Sequence, residues 1–234
     1  MNQLSHILGK EFKDYFISPI AYIVISIFLL VTGWLFFTTF FLYNQAMLRN
    51  FFNLLPLVFA FVIPAITMRL FAEELNIGSY EILLTMPVRF TDIILGKFFG
   101  GLLFVMTMLL PTISYAITVA LIGDLDWGPV IGGYLGAVLL GAAYTAIGIF
   151  ASSLTRNQII AFIIGTAICF TLSIIDKMLY FFPQTLLGVI NYLGADYHFQ
   201  NIAKGVVDSR DILYFVSVCF IGLYGTHISM QEKI

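Results

Sequence analysis

Charge is what this sequence has least of. Asp, Glu, Lys and Arg make up 10% of its 234 residues, where an ordinary soluble domain carries about 25%. The scarcity excludes a water-soluble domain. The net charge of −2 offers no basic footprint for nucleic acid. Cysteine is scarce too: Cys169 and Cys219 lie inside apolar runs, which excludes a disulfide framework and reads as packing residues. Neither Gly9-Lys10 nor Gly96-Lys97 is followed by Ser or Thr, so no G-x-x-x-x-G-K-[ST] loop cradles nucleotide phosphates. Gly-x-Ser-x-Gly and Gly-x-Ser-Gly are absent, and His227 in the last apolar run reads as a packing histidine rather than a catalytic one.

What is present is hydrocarbon. Sixty per cent of residues are hydrophobic and the mean hydropathy is +0.99. Six apolar runs follow, at 17–42, 52–72, 93–122, 129–152, 158–181 and 212–230. Each is near the roughly 20 residues that cross a bilayer, and each is too continuous for the alternation of a barrel. The expectation is an all-α integral membrane protein with six transmembrane helices and little chain left for a soluble domain. Between 17 and 68, 98 and 123, 128 and 155, 157 and 175, and 212 and 231 the only charge is Arg49. A charge at mid-bilayer costs about 2.5–3.5 kcal/mol, and carriers driven by protons or sodium keep one for use. This chain therefore reads against ion coupling, leaving the backbone carbonyls of broken helices as the remaining way to hold a cation.

Lys and Arg set the orientation. With both termini on one side, that side holds Lys10, Lys13, Arg69, Arg89, Lys97, Arg156 and Lys233, and the other holds Arg49, Lys177, Lys204 and Arg210. Seven against four places both termini in the cytoplasm. Before the first run, Leu4, Ile7, Leu8, Phe12, Tyr15 and Phe16 recur at helical spacing, while Ser5, His6, Lys10, Lys13 and Asp14 fall opposite. This pattern predicts an amphipathic helix over residues 1–16 along the membrane surface, turned into the first span near Ser18 and Pro19. The apolar stretch behind it is too long for a cleaved signal.

One sizeable charged segment remains, Arg69 to Lys97. Within its loop at 73–92, Gly78 and Pro87 bracket a short helix that starts at Ser79, with Glu81 in its first turn. Ser79 caps the orphan amides and Glu81 complements the positive helix end. The functional reading is a docking element; the bland one is a polar turn. On the opposite side, the 176–211 loop predicts two short helices. Leu186, Leu187, Ile190 and Leu193 mark one; Phe199, Ile202, Ala203 and Val206 mark another that stops near Gly205. Asp208 or Ser209 then caps the last span. Gly96 and Gly100, Gly132 and Gly136, and Gly141 with Ala142 and Ala143 form small-residue faces for close helix packing, within or between subunits. Pro56, Pro64 and Pro111 predict bends in spans two and three.

The run Gly78-Ser79-Tyr80-Glu81-Ile82-Leu83-Leu84-Thr85-Met86-Pro87, followed by Ile94-Leu95-Gly96-Lys97, resembles the cytoplasmic signature of ABC-2 type permeases, G-T-x-E-x-L-L-x-x-P with a later I-x-G-K. Ser79 stands where Thr is usual. The resemblance extends to Ile63–Arg69, Ala142–Gly148, Tyr197–Phe199 and Ala203–Asp208. It is similar in particular to the gliding-motility branch, and to the permeases that mature the copper site of nitrous oxide reductase. It implies a six-span, type V exporter-like permease fold in one domain, 1–234, of a bacterial cytoplasmic (inner) membrane. It implies a dimer with a second copy or a related permease, two ABC ATPase subunits, and room for an auxiliary periplasmic or membrane subunit. No cofactor belongs to this chain; ATP and magnesium sit on the partner. The coupling interface carried over comprises Glu73, Glu74, Gly78, Ser79, Tyr80, Glu81, Leu83, Leu84 and Pro87, braced by Leu4, Leu8, Lys10, Phe12 and Lys13 of the surface helix. The alternative is a non-transporting membrane scaffold that docks cytosolic and periplasmic partners.

Overall fold

The structure, a computed structural model, describes residues 3–43, 47–78, 89–178 and 187–233. Among these residues every regular element is helical. In order they are α1 (Gln3–Ile17), α2 (Pro19–Tyr43), α3 (Arg49–Thr67), α4 (Arg69–Ile77), α5 (Phe90–Leu109), α6 (Ile113–Ile122), α7 (Trp127–Leu154), α8 (Gln158–Ile174), α9 (Leu187–Leu193), α10 (Ala195–Ala203) and α11 (Ser209–Gln231).

Helix α7 is the axis of the bundle. It buries more of itself than any other long helix because its small residues let neighbours close in on several sides. A Cβ on Gly133 would strike the Phe52 ring, one on Gly141 would meet Val105, and one on Gly148 would overlap the Thr67 hydroxyl. The small-residue faces therefore serve contacts within the chain. Gly96 and Gly100 do the same for α1, facing Ile7 and Glu11.

These contacts fix direction. Phe52, Phe59 and Thr67 of α3 meet Gly133, Gly141 and Gly148 in ascending order, so α3 runs parallel to α7. Val105 meets Gly141 while the earlier Gly101 meets the later Thr145, so α5 runs antiparallel. Phe28 and Phe36 of α2 pair with Phe59 and Phe51, again antiparallel to α3. The long helices thus alternate in direction, as a chain threading a bilayer requires.

Two expected spans differ in detail. The second path breaks at Met68, so Arg49–Ile77 is α3 plus α4; Pro64 has no N–H to give and sits one turn before the break. Pro111 lies in a 3-10 turn, Leu110–Thr112, that joins α5 to α6 within one path, Phe90–Ile122. The run 158–181 is helical over less than its expected length, as α8, and its residues 179–181 lie outside the described residues. Among the described residues five helical paths are long and apolar enough to cross a membrane, and α8 has only 17 residues, about 25 Å at 1.5 Å per residue. It ends before Asp176 and Lys177, where the chain turns and Lys177 pairs with Asp196 at 3.0 Å.

Two short helices form in the described part of the 176–211 segment, α9 and α10; α10 stops at Ala203, so Val206 lies beyond it, Leu186 lies outside the described residues, and Gly205 takes φ +86°. Helix α10 is no surface ornament, since Phe199 and Ile202 pack on Gly136 of α7 and are fully buried. Of the two candidate caps for α11, Asp208 accepts from the Arg210 amide at 3.0 Å and is the N-cap. Cys169 and Cys219 are free thiols, buried and half-buried.

Candidate functional site

At the end of the bundle where α1, α4 and α5 meet, the sequence buries a cation. Lys97 is 2% exposed, and its ammonium donates to Glu11 of α1 at 3.0 Å and to Glu74 of α4 at 2.7 Å. Its Nζ also lies 5.2 Å from the Phe71 ring centroid. A lysine in so dry a place is held charged by its partners, and removing one partner of such a pair costs about 3–5 kcal/mol. The cluster ties together three elements that are remote in sequence. Two of them are the flanks of the 79–88 segment: α4 leads in and α5 leads out.

This placement corrects two expectations. Lys97 and Glu74 were expected in a solvent-facing segment, yet they neutralise each other inside the fold. Glu73 and Glu74 belong to helix α4 rather than to a loop. Helix α1 meets its neighbour through two residues of the expected apolar stripe and one that was not expected, Glu11. Its contact line is the half-buried Ile7 with the buried Glu11 and Tyr15, spaced four apart, laid on Gly96, Gly100 and Gly101 of α5. Leu8 and Phe12 are half-buried beside it, Lys10 and Lys13 are exposed, and Leu4 lies in the first turn of α1.

Glu11 was missed by the sequence reading. Its signal was there: a carboxylate in the middle of an apolar stripe, four residues from Ile7 and from Tyr15, is a buried charge waiting for a cation. Tyr15 is 3% exposed and stacks near Phe104 at 4.9 Å, with the Arg69 guanidinium 5.0 Å from its ring centroid. Burial pushes its phenol above the ordinary value and the Glu11 carboxylate pushes the same way, while Arg69 pulls it down.

A second interaction fixes α4. The Ser152 hydroxyl of α7 accepts from the amides of Phe71 and Ala72, both at 3.0 Å, and donates to the Met68 carbonyl at 2.7 Å. A first helical turn leaves such amides without partners. Here a hydroxyl from a helix 80 residues away acts as the cap. No sequence pattern announces this, because the cap is not the residue before the helix.

Helix α4 ends at Gly78, whose φ of +79° is left-handed backbone that favours glycine. A Cβ there would meet nothing within 4 Å, so the constraint is conformational and not steric. Ser79, Tyr80, Glu81, Leu83, Leu84 and Pro87, with the expected helix from Ser79 to Met86, lie outside the described residues. The described chain resumes at Arg89, which has extended backbone and precedes α5.

The opposite end of the bundle holds a smaller cluster. His198 of α10 is fully buried, with Nδ1 2.6 Å from Asp211 Oδ1 and Nε2 2.9 Å from the Tyr192 carbonyl, stacked on Tyr214 at 4.1 Å. Its Nε2 faces a pure acceptor and donates. His227 is elsewhere, against Phe90 at 5.3 Å. Among the described residues no group of three or more His, Cys, Asp or Glu is arranged to hold a metal ion.

Two of the patches that carry the resemblance meet in space, since Gly148 of Ala142–Gly148 abuts Thr67 of Ile63–Arg69 beside the Met68 break. In comparison with known protein families, the model of a family described as ABC-2 family transporter protein matches residues 5–217. No curated protein matches the sequence.

Proposed function

The chain belongs to the ABC-2 family of transporter proteins, and from that premise we propose that it is the permease that a pair of ABC ATPases drives through the 79–88 segment. Family membership makes it a multi-pass membrane component that is not catalytic alone, and implies an ABC ATPase as partner. The proposal adds six spans with both termini in the cytoplasm, α1 lying along the cytoplasmic surface, and outward transport by two permeases on two ATPases. The membrane is the bacterial inner membrane, and the gliding-motility branch is carried as a likeness of sequence.

The observation that carries this reading is the Glu11–Lys97–Glu74 cluster. A push on the 79–88 segment reaches both of its flanks, and Glu74 and Lys97 make those flanks move as one body with α1. Ser152 then passes the movement of α4 to the central helix α7. The two bundles rock in response, which is how a packed bistable interface turns a small input into an opening.

Coupling is tested at the ends of the segment. Gly78→Val places a β-branched residue at positive φ, a strain of roughly 1–3 kcal/mol, and Glu81→Lys puts a cation in the first turn of the helix expected from Ser79, worth about 0.3–1 kcal/mol. Both are expected to lower association with the cognate ATPase and its stimulated turnover, while Asp124→Lys at the other end does not. Full association and stimulation in both variants would return the segment to a polar turn. Topology is tested with single cysteines at Ser79 and Ser209 in a chain cleared of Cys169 and Cys219. They are expected to react with a membrane-impermeant maleimide from opposite sides, and reaction from one side would end the six-span arrangement.

A further inference from the structure

Two clefts share a wall at the junction of α1 with the bundle. One is polar, about 280 Å³, and carries Lys10, Arg69 and Lys97 against Glu11, Asp14, Glu73 and Glu74. The other is about 290 Å³ and mainly apolar, reaching past Ala21, Val24, Ala65, Ile66 and Phe104. Tyr15, Arg69 and Glu73 line both. A charged chamber joined to a greasy one, on a helix that skirts a membrane, has the shape of an amphiphile.

We infer that these joined clefts bind one phosphatidylethanolamine molecule, its headgroup among Arg69, Tyr15 and Glu73 and an acyl chain in the apolar chamber. Arg69 is half-buried and makes no ion pair among the described residues, so its planar fork is available to a phosphodiester. The Tyr15 hydroxyl has no hydrogen-bond partner there either, although the side chain is buried. A phosphate oxygen supplies the acceptor it lacks. Three cations facing four carboxylates favour a zwitterionic headgroup over an anionic one. A primary ammonium donates hydrogen bonds to carboxylates such as Glu73, which a quaternary choline cannot do. This site is independent of the coupling reading, because it needs no ATPase.

The test is native mass spectrometry of the full chain, released from detergent containing equal amounts of phosphatidylethanolamine, phosphatidylcholine and phosphatidylglycerol of the same acyl chains. The expected result is one retained phosphatidylethanolamine per chain. Arg69→Gln is expected to lower retention about tenfold, the loss of one charge-assisted hydrogen-bond pair. Glu73→Gln is expected to abolish the preference over phosphatidylcholine, and Ala65→Phe to block retention by filling the apolar chamber. Equal retention of the three lipids, or retention unchanged in all three variants, overturns the inference. A second measurement leaves the headgroup residues native: Ser18→Cys, on the lining of the apolar chamber, in the chain cleared of Cys169 and Cys219, is expected to be shielded from maleimide by phosphatidylethanolamine. Shielding by glycerophosphoethanolamine alone at the same concentration would show a headgroup site without an acyl chamber, and no shielding by either would remove the lipid altogether.

Discussion

The two ends of this bundle each bury a charged cluster, and they differ in how far the chain travels to build it. Lys97 reaches back 86 residues to Glu11 and 23 to Glu74. His198 reaches 13 residues forward to Asp211 and six back to the Tyr192 carbonyl. The second cluster is local: it closes the turn from α10 into α11 and needs little beyond its own loop. The first is a junction between separate elements, and each partner comes from a helix that has other reasons to be where it is. A local cluster sets the shape of one segment, whereas a remote one makes distant segments move together.

The contrast can be broken most sharply at Lys97. Lys97→Met leaves two carboxylates facing each other in a dry site and is expected to cost about 3–5 kcal/mol, with loss of amide protection along α1 in hydrogen exchange. Adding Glu11→Met and Glu74→Met is expected to recover most of that stability, since an apolar set of similar size often replaces buried charges without loss, yet α1 would no longer follow α4. If the triple variant is as unstable as the single one, packing rather than charge holds the junction.

At the other end, Asp211→Ala removes the partner of His198 Nδ1 and is expected to cost about 1–3 kcal/mol, with faster exchange confined to α9 and α10. Spread of that effect to α1 would show that the clusters are not separate. Lys177 pairs with Asp196 but is 55% exposed. Lys177→Ala is therefore expected to change the unfolding free energy by about 0–1 kcal/mol, measured by denaturant unfolding in mixed micelles. A larger loss would place that pair with the buried clusters.

Five of the apolar runs, the helix before the first of them, α9 and α10 were legible because each follows from local rules of period, length and turn chemistry. Residues 158–181 were read too long, because hydropathy continues through Leu179 and Tyr180 and outvotes the polar pair Asp176-Lys177. The cluster was half legible. Lys97 was visible as a charge but was assigned to solvent by its position in a polar stretch, and Glu11 was passed over inside an apolar stripe. Pairing across 86 residues is a property of packing, and a single sequence does not display it. Ser152 is the plainest case, since a hydroxyl near the end of an apolar helix has many ordinary uses and only the fold shows two amides waiting for it.

The separation of Glu11 from Lys97 also has a meaning in time. Ribosomes add about 5–20 residues per second, so Lys97 is made roughly 4–17 s after the carboxylate it will meet. Throughout that interval α1 has emerged without its cation. Until then its apolar side carries an unpaired acid, whose burial is unfavourable without the cation. The junction therefore closes only after the first two long helical paths, Pro19–Leu42 and Arg49–Ile77, have been made and the third has begun.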